Sequence, residues 1–234
     1  MLELVYSPQW FYGIDILFEF INVIAALLIA FFSYKIYKYT KDRHCLYFGL
    51  SFLAISLAFI SKILTNFQIY FNVLRQSKVI DQALLTLTTH RNFSFFVTGY
   101  FFHRVFFLMA LVGIFFIVCK YDKKLLILFA YFIAIITAFS TSEYFIFHVT
   151  TSIMLGYIFY HYYLNYKYNP TKNTFLVSFG FFLILISQII FINIILGVES
   201  YVVAQIIQVI GYVTLLYAYI RINKNDKKNK ARHH

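Results

Sequence analysis

Residues 15–66 read DILFEFINVIAALLIAFFSY, then KIYKYTKDRHCL, then YFGLSFLAISLAFISKILTN. Two apolar runs of 20 residues flank a 12-residue connection that carries Lys35, Lys38, Lys41 and Arg43. An α-helix rises about 1.5 Å per residue, so roughly 20 apolar residues cross the ~30 Å of bilayer hydrocarbon. The runs are continuously apolar, whereas a membrane β-barrel strand alternates over about 10 residues. The stretch therefore predicts a pair of membrane-crossing helices joined by a short basic connection.

The pattern repeats along the chain. Apolar runs at 15–34, 47–66, 100–119, 125–140, 144–163, 174–196 and 201–221 predict seven spans, of which the fourth is the shortest. Composition agrees: the 234 residues are 62% hydrophobic and only 12% charged. A soluble domain lies nearer 45–50% apolar and about 25% charged, so a water-soluble globule and a disordered chain are both excluded. The expected fold class is all-α, a polytopic membrane protein built as a seven-transmembrane helix bundle. Residues 1–222 form that domain, and 223–234 form a basic tail whose His233 and His234 are read as the remnant of an affinity tag. The segment MLELVYSPQW has no basic n-region or small-residue cleavage site, so the first run is expected to stay as a helix.

The net charge of +11 is read as topology. With seven alternating helices, Lys35, Lys38, Lys41, Arg43, Lys120, Lys123, Lys124, Lys167, Lys172 and the tail fall on one side. Only Arg75, Lys78 and Arg91 fall on the other. The positive-inside rule then puts the N-terminus outside and the C-terminus in the cytoplasm of a multi-pass cell-membrane protein. No nucleic-acid module is present. Cys45 and Cys119 then sit at the cytoplasmic boundary as thiols. The longest outer connection, about 67–93, is expected to be a surface helix or an extension of the second helix. Ser152 and Gly156, four apart, fit a close helix approach.

A charge inside a bilayer costs about 2.5–3.5 kcal/mol on insertion scales, so each intramembrane polar residue needs a reason. Asp15, Glu19 and Asn22 form a stripe on the first helix. Lys62 and Asn66 lie near the outer end of the second, His103 and Arg104 in the first outer turn of the third, and His148 one turn inside the fifth. Gln188 lies in the outer half of the sixth, and Tyr201, Gln205, Gln208 and Tyr212 line one face of the seventh. All the charged ones fall in the outer third of the membrane. Polar groups in a bundle face one another, which predicts a polar outward-facing ligand or ion pocket over an apolar cytoplasmic plug. Its residues are Asp15, Glu19, Lys62, His103, Arg104, His148, Gln188, Gln205 and Gln208. The competing reading is a structural ion-pair and hydrogen-bond network, with the outer polar face as an interface of a structural subunit in a larger complex. A third reading uses His103 and His148 as axial ligands of haem b, or joins them with Glu19 around a metal ion.

Several seven-helix classes lack their signatures here. The seventh span VVAQIIQVIGYVTLLYAYI has no retinal lysine and no NPxxY, and the third span ends IVCKYDKK without a DRY-type triad. Pro8 and Pro170 both lie in connections, so no span is proline-broken as in many transporters. No nucleophile–base set is visible, so the reading leans away from an enzyme. Residues 20–60, FINVIAALLIAFFSYKIYKYTKDRHCLYFGLSFLAISLAFI, and 205–224, QIIQVIGYVTLLYAYIRINK, resemble prokaryotic seven-helix sensor modules that precede histidine kinases. The resemblance lies in hydropathy, loop lengths and a few aromatics. It implies sensing at an outer pocket and signalling through the last helix. This chain has only a basic tail after Ile222, so a protein partner in the membrane or at the tail would carry the output. The expected function is thus a membrane sensor-like or accessory protein, embedded in the lipid bilayer and acting through that partner.

Overall fold

The computed structural model describes residues 8–11, 13–76, 82–119, 143–193, 197 and 199–231. Among them are six α-helices and no strand: α1 Ile14–Thr40, α2 Arg43–Gln76, α3 Gln82–Cys119, α4 Glu143–Tyr168, α5 Lys172–Ile192 and α6 Glu199–Ala231. A 3-10 turn, Gln9–Phe11, precedes α1. Five of the helices hold segments long and apolar enough to cross a membrane: Ile14–Thr40, Arg43–Gln68, Val97–Val118, Lys172–Ile192 and Glu199–Lys224. This is a helical membrane protein. The fourth expected span, 125–140, lies outside the described residues. The fifth forms α4, which falls outside that set of five; its apolar residues are interrupted by His148, Thr150, Thr151, Ser152 and His161.

The local chemistry explains where the helices begin and end. Gly13 takes a positive φ of 86°, which lets the chain turn from the 3-10 segment into α1. It provides no side-chain cap, and the Asp15 carboxylate instead accepts from the Gly13 and Ile16 backbone N–H groups. At the other end Lys41 adopts a left-handed conformation and its N–H donates to Tyr37 O, so α2 can start two residues later. Pro170 stops α4, and Thr171 and Thr174 form a reciprocal capping box that starts α5. The long connection at about 67–93 is largely helical: α2 extends to Gln76 and α3 begins at Gln82. The last helix likewise continues past the expected domain boundary at Ile222, to Ala231.

Each helix packs on the next in sequence, and α6 returns to α1. Neighbours are antiparallel with one exception inside the sequence order. His103 on α3 meets Phe147 on α4 at 5.6 Å between ring centroids, and Phe115 meets Tyr157 at 4.9 Å. The register rises on both helices together, so α3 and α4 run parallel. Beside them lies an apolar crevice of about 470 Å³ lined by Val112, Phe115, Ile153, Gly156 and Tyr157.

The face of α1 divides cleanly. Asp15, Glu19, Asn22, Val23, Ala26, Ile29 and Ala30 are buried, a spacing of three and four that makes one helical stripe. Leu17, Phe20, Ile24, Leu27 and Phe31 point outward, as expected where the surroundings are lipid. Along the buried stripe the carboxylates and the amide occupy the start of the helix, and small or apolar residues follow as far as Ser33, whose hydroxyl donates to Cys45 O. The same division holds across the bundle: Phe52, Ile55, Ile114, Leu155, Ile158, Phe181, Ile184 and Leu215 fill the core below.

Glycines mark close approach at Gly99 and Gly113, where α3 meets Thr65 and Ser51 of α2, and between α5 and α6. A Cβ on Gly211 would lie 2.7 Å from Ile184 Cγ1 and 3.2 Å from Gly180 O, so glycine lets the two backbones meet. The expected contact at Ser152 and Gly156 differs: among the described residues nothing comes within 4 Å of a Cβ at Gly156. Gly211→Val is therefore expected to destabilise the protein by about 1–3 kcal/mol through overpacking, whereas Gly156→Ala, with room for its Cβ inside a helix, is expected to stabilise by about 0.5–1 kcal/mol. Thermal unfolding in detergent measures both, and equal losses at the two sites would contradict this packing.

Candidate functional site

All nine residues singled out from the sequence are buried. Asp15, Glu19 and Gln205 are fully enclosed, and Lys62, His103, Arg104, His148, Gln188 and Gln208 are at most 7% exposed. They occupy one end of the bundle: the first turns of α1, α4 and α6, the last turn of α5, and the matching levels of α2 and α3. Helical periodicity explains this, since a polar residue in an apolar span gains by turning inward, where partners are available.

The centre is an ion pair between Glu19 on α1 and Lys62 on α2, with Nζ 2.7 Å from Oε1. Two further side chains donate to that same oxygen: Asn66 Nδ2 at 3.4 Å and Gln205 Nε2 at 3.5 Å. Lys62 also donates to the Tyr201 hydroxyl at 3.3 Å, and Gln205 Nε2 does so at 3.0 Å. The Tyr100 hydroxyl donates to Asn66 Oδ1 at 3.1 Å. At the end of the bundle the Tyr70 hydroxyl donates to Asp15 Oδ2. The Lys62 ammonium additionally lies 5.5 Å from the Tyr201 ring centroid and 6.0 Å from that of Phe191. The cation thus has a carboxylate, a phenol and two aromatic faces around it, which offsets much of its desolvation.

The two histidines form a separate layer. His103 Nδ1 is 2.9 Å from Ala58 O, a carbonyl that can only accept, so Nδ1 carries the proton. His148 Nδ1 is 2.7 Å from Gln188 Oε1 and is assigned the same tautomer. Phe147 packs against both rings, at 5.6 Å and 4.9 Å between centroids. His148 also stacks on Phe191 at 5.0 Å. Among the described residues no group of three or more His, Cys, Asp or Glu side chains is placed to hold a metal ion. The geometry therefore does not gather His103, His148 and Glu19 around one ion, and each imidazole sits in an aromatic setting with its Nδ1 committed to a protein acceptor.

The structure thus brings Glu19, Lys62 and Gln205 into one connected cluster, pairs Asp15 with Tyr70 beside it, and joins His148 to Gln188. Arg104 and Gln208 are buried at the same level. Four residues bonded to these side chains lie outside the nine: Asn66 and Tyr201, which the polar stripes include, and Tyr70 and Tyr100, which they do not. Tyr70 lies beyond Asn66, where the apolar run ends, yet it follows Lys62 and Asn66 at intervals of four. Tyr100 precedes Arg104 by four. The helical interval was the available signal, and it was obscured because interfacial tyrosines look the same in sequence.

Comparison with protein families, curated proteins and solved structures finds no match. The residues alone must carry the functional reading.

Removing one member of a buried pair leaves the other charge uncompensated, at about 3–5 kcal/mol. Glu19→Gln and Lys62→Met are each expected to lose stability on that scale, and the double variant to lose clearly less than the sum. Losses that add within about 0.5 kcal/mol would mean that the two groups do not interact. A double-mutant cycle by unfolding in detergent reads this directly.

Proposed function

We propose that the chain is a seven-span cell-membrane protein of sensor-like or accessory type, with its N-terminus outside. Its polar end is the ligand- or ion-responsive site, and it acts through a protein partner in the membrane or at the basic tail. The observation that carries this reading is the buried Glu19–Lys62 pair, tied to α6 through Gln205 and Tyr201. Ionisable groups in membrane spans are expensive, and this pair sits where three helices converge. Anything that draws on the Glu19 carboxylate therefore alters the contacts of the helix that leads to the tail.

Support for seven spans comes from the parallel course of α3 and α4. A chain that leaves α3 at one end and starts α4 at the other has to return the height of the bundle in residues 120–142. The apolar run 125–140 is the natural candidate for that return. On this reading, single-cysteine probes at Lys124 and Lys167 label from the cytoplasmic side and a probe at Thr141 labels from outside. Labelling of Thr141 and Lys124 from the same side would remove the span at 125–140 and leave six.

The functional part is tested by photo-cross-linking from tail positions 224–231 in native membranes. The expected result is a defined membrane partner whose cross-linking yield changes in Glu19→Gln and in Arg104→Gln at a temperature where thermal unfolding shows both variants, though destabilised, still folded. Identical cross-linking in wild type and both variants would reduce the polar end to a structural network.

A further inference from the structure

The Glu19 carboxylate is served unevenly. Its Oε1 takes Lys62, Asn66 and Gln205. Its Oε2, in a side chain with no solvent exposure, has no donor among the described residues. The orientation of Gln205 is fixed by its neighbours, because Glu19 Oε1 can only accept and the amide must turn its NH2 that way. That leaves Gln205 Oε1 without a donor as well. One turn along α1 from Glu19, on the same buried face, Asn22 has neither its Oδ1 nor its Nδ2 partnered, and it too is fully enclosed. Three acceptor oxygens and one NH2 donor, on facing turns of α1 and α6, are therefore unmet among the described residues.

Leaving such groups dry is unfavourable for each of them, and most of all for a carboxylate oxygen. Buried groups of this kind are ordinarily joined by a guest that makes two to four hydrogen bonds. The unmet groups define that guest. It must offer at least two O–H or N–H donors to Glu19 Oε2 and to the amide oxygens, and an acceptor to Asn22 Nδ2. Among the described residues the four buried charged side chains, Asp15, Glu19, Lys62 and Arg104, sum to zero, which favours a neutral guest. A cation would add an uncompensated charge next to the Lys62 ammonium.

We infer that Glu19 Oε2, Asn22 and Gln205 Oε1 form a buried binding site for a neutral guest with at least two O–H donors, supplied by a water molecule or by two hydroxyls of a small polyhydroxy ligand. The site rests on unmet hydrogen-bond valences and not on the signalling reading, so either can fail without the other. It also places the guest directly between the helix that holds the carboxylate and the helix that leads to the tail.

An experimental density map of the full-length protein in detergent, at a resolution that shows ordered water, tests this. A compact single-atom peak within hydrogen-bond distance of Glu19 Oε2 and one of the two amides assigns water. Elongated density there assigns a hydroxylated ligand. A map with no density beside Glu19 Oε2 overturns the site. Thermal unfolding of Asn22→Leu gives an independent sign. Leu is close to Asn in shape and lacks both unmet atoms, so in a dry cluster the change raises Tm. In an occupied one it removes the guest's partners and lowers Tm by several degrees. A raised or unchanged Tm overturns the proposal whatever the map shows.

Discussion

A carboxylate and an ammonium held 2.7 Å apart in the interior of a helical bundle constrain everything around them. Neither charge can be left without the other, because the surrounding hydrocarbon offers no water to replace a lost partner. The pair therefore fixes the register of α1 against α2. Its auxiliary donors then fix the rest: Gln205 and Tyr201 bring α6 to the same level, and Asn66 with Tyr100 brings α3. The apolar core below could tolerate small slips between helices, since one methyl contact substitutes for another. The polar end cannot. Specificity of packing at that end and bulk of packing below it are thus separate contributions, carried by different residues of the same helices.

The aromatic content serves the same arrangement. Phenylalanines and tyrosines surround Lys62 and the two histidines, and they exclude solvent from the polar cluster while presenting electron-rich faces and ring edges to it. His103 and His148 are accordingly held by single protein acceptors and by rings, as parts of the packing around the ion pair.

Much of this was legible before any coordinates. The membrane class, the helical architecture and the inward turn of all nine polar residues follow from run length and from helical spacing, because hydrocarbon leaves few alternatives for either. What the sequence could not supply was pairing. Lys62 and Arg104 are equivalent cations by depth, yet it is Lys62 that meets Glu19, a matter of helix rotation that periodicity does not encode. Tyr70 and Tyr100 belong to the polar end but resemble belt residues. The small residues mislead in a similar way: Ser152 and Gly156 match a packing motif, while close approach occurs at Gly99, Gly113, Gly180 and Gly211, which belong to no such motif. A glycine marks permission for contact, and the neighbour decides whether the permission is used. The resemblance to kinase-linked sensor modules stands where it began, as a likeness of hydropathy and loop length.

The length of α6 has a mechanical meaning. Its 33 residues, Glu199–Ala231, make a rod of about 50 Å, against a hydrocarbon layer of about 30 Å. The last helix thus outruns the bilayer by several turns, and it contains no proline and no glycine after Gly211 to act as a joint. Such a rod is stiff against bending over its own length. Tilting or twisting its first turns, where Gln205 touches Glu19, swings the far tip without an intervening hinge to absorb the motion. The lever arm is set by the distance from Gly211, the point where α6 is pinned most closely to α5, and the far arm is the longer of the two.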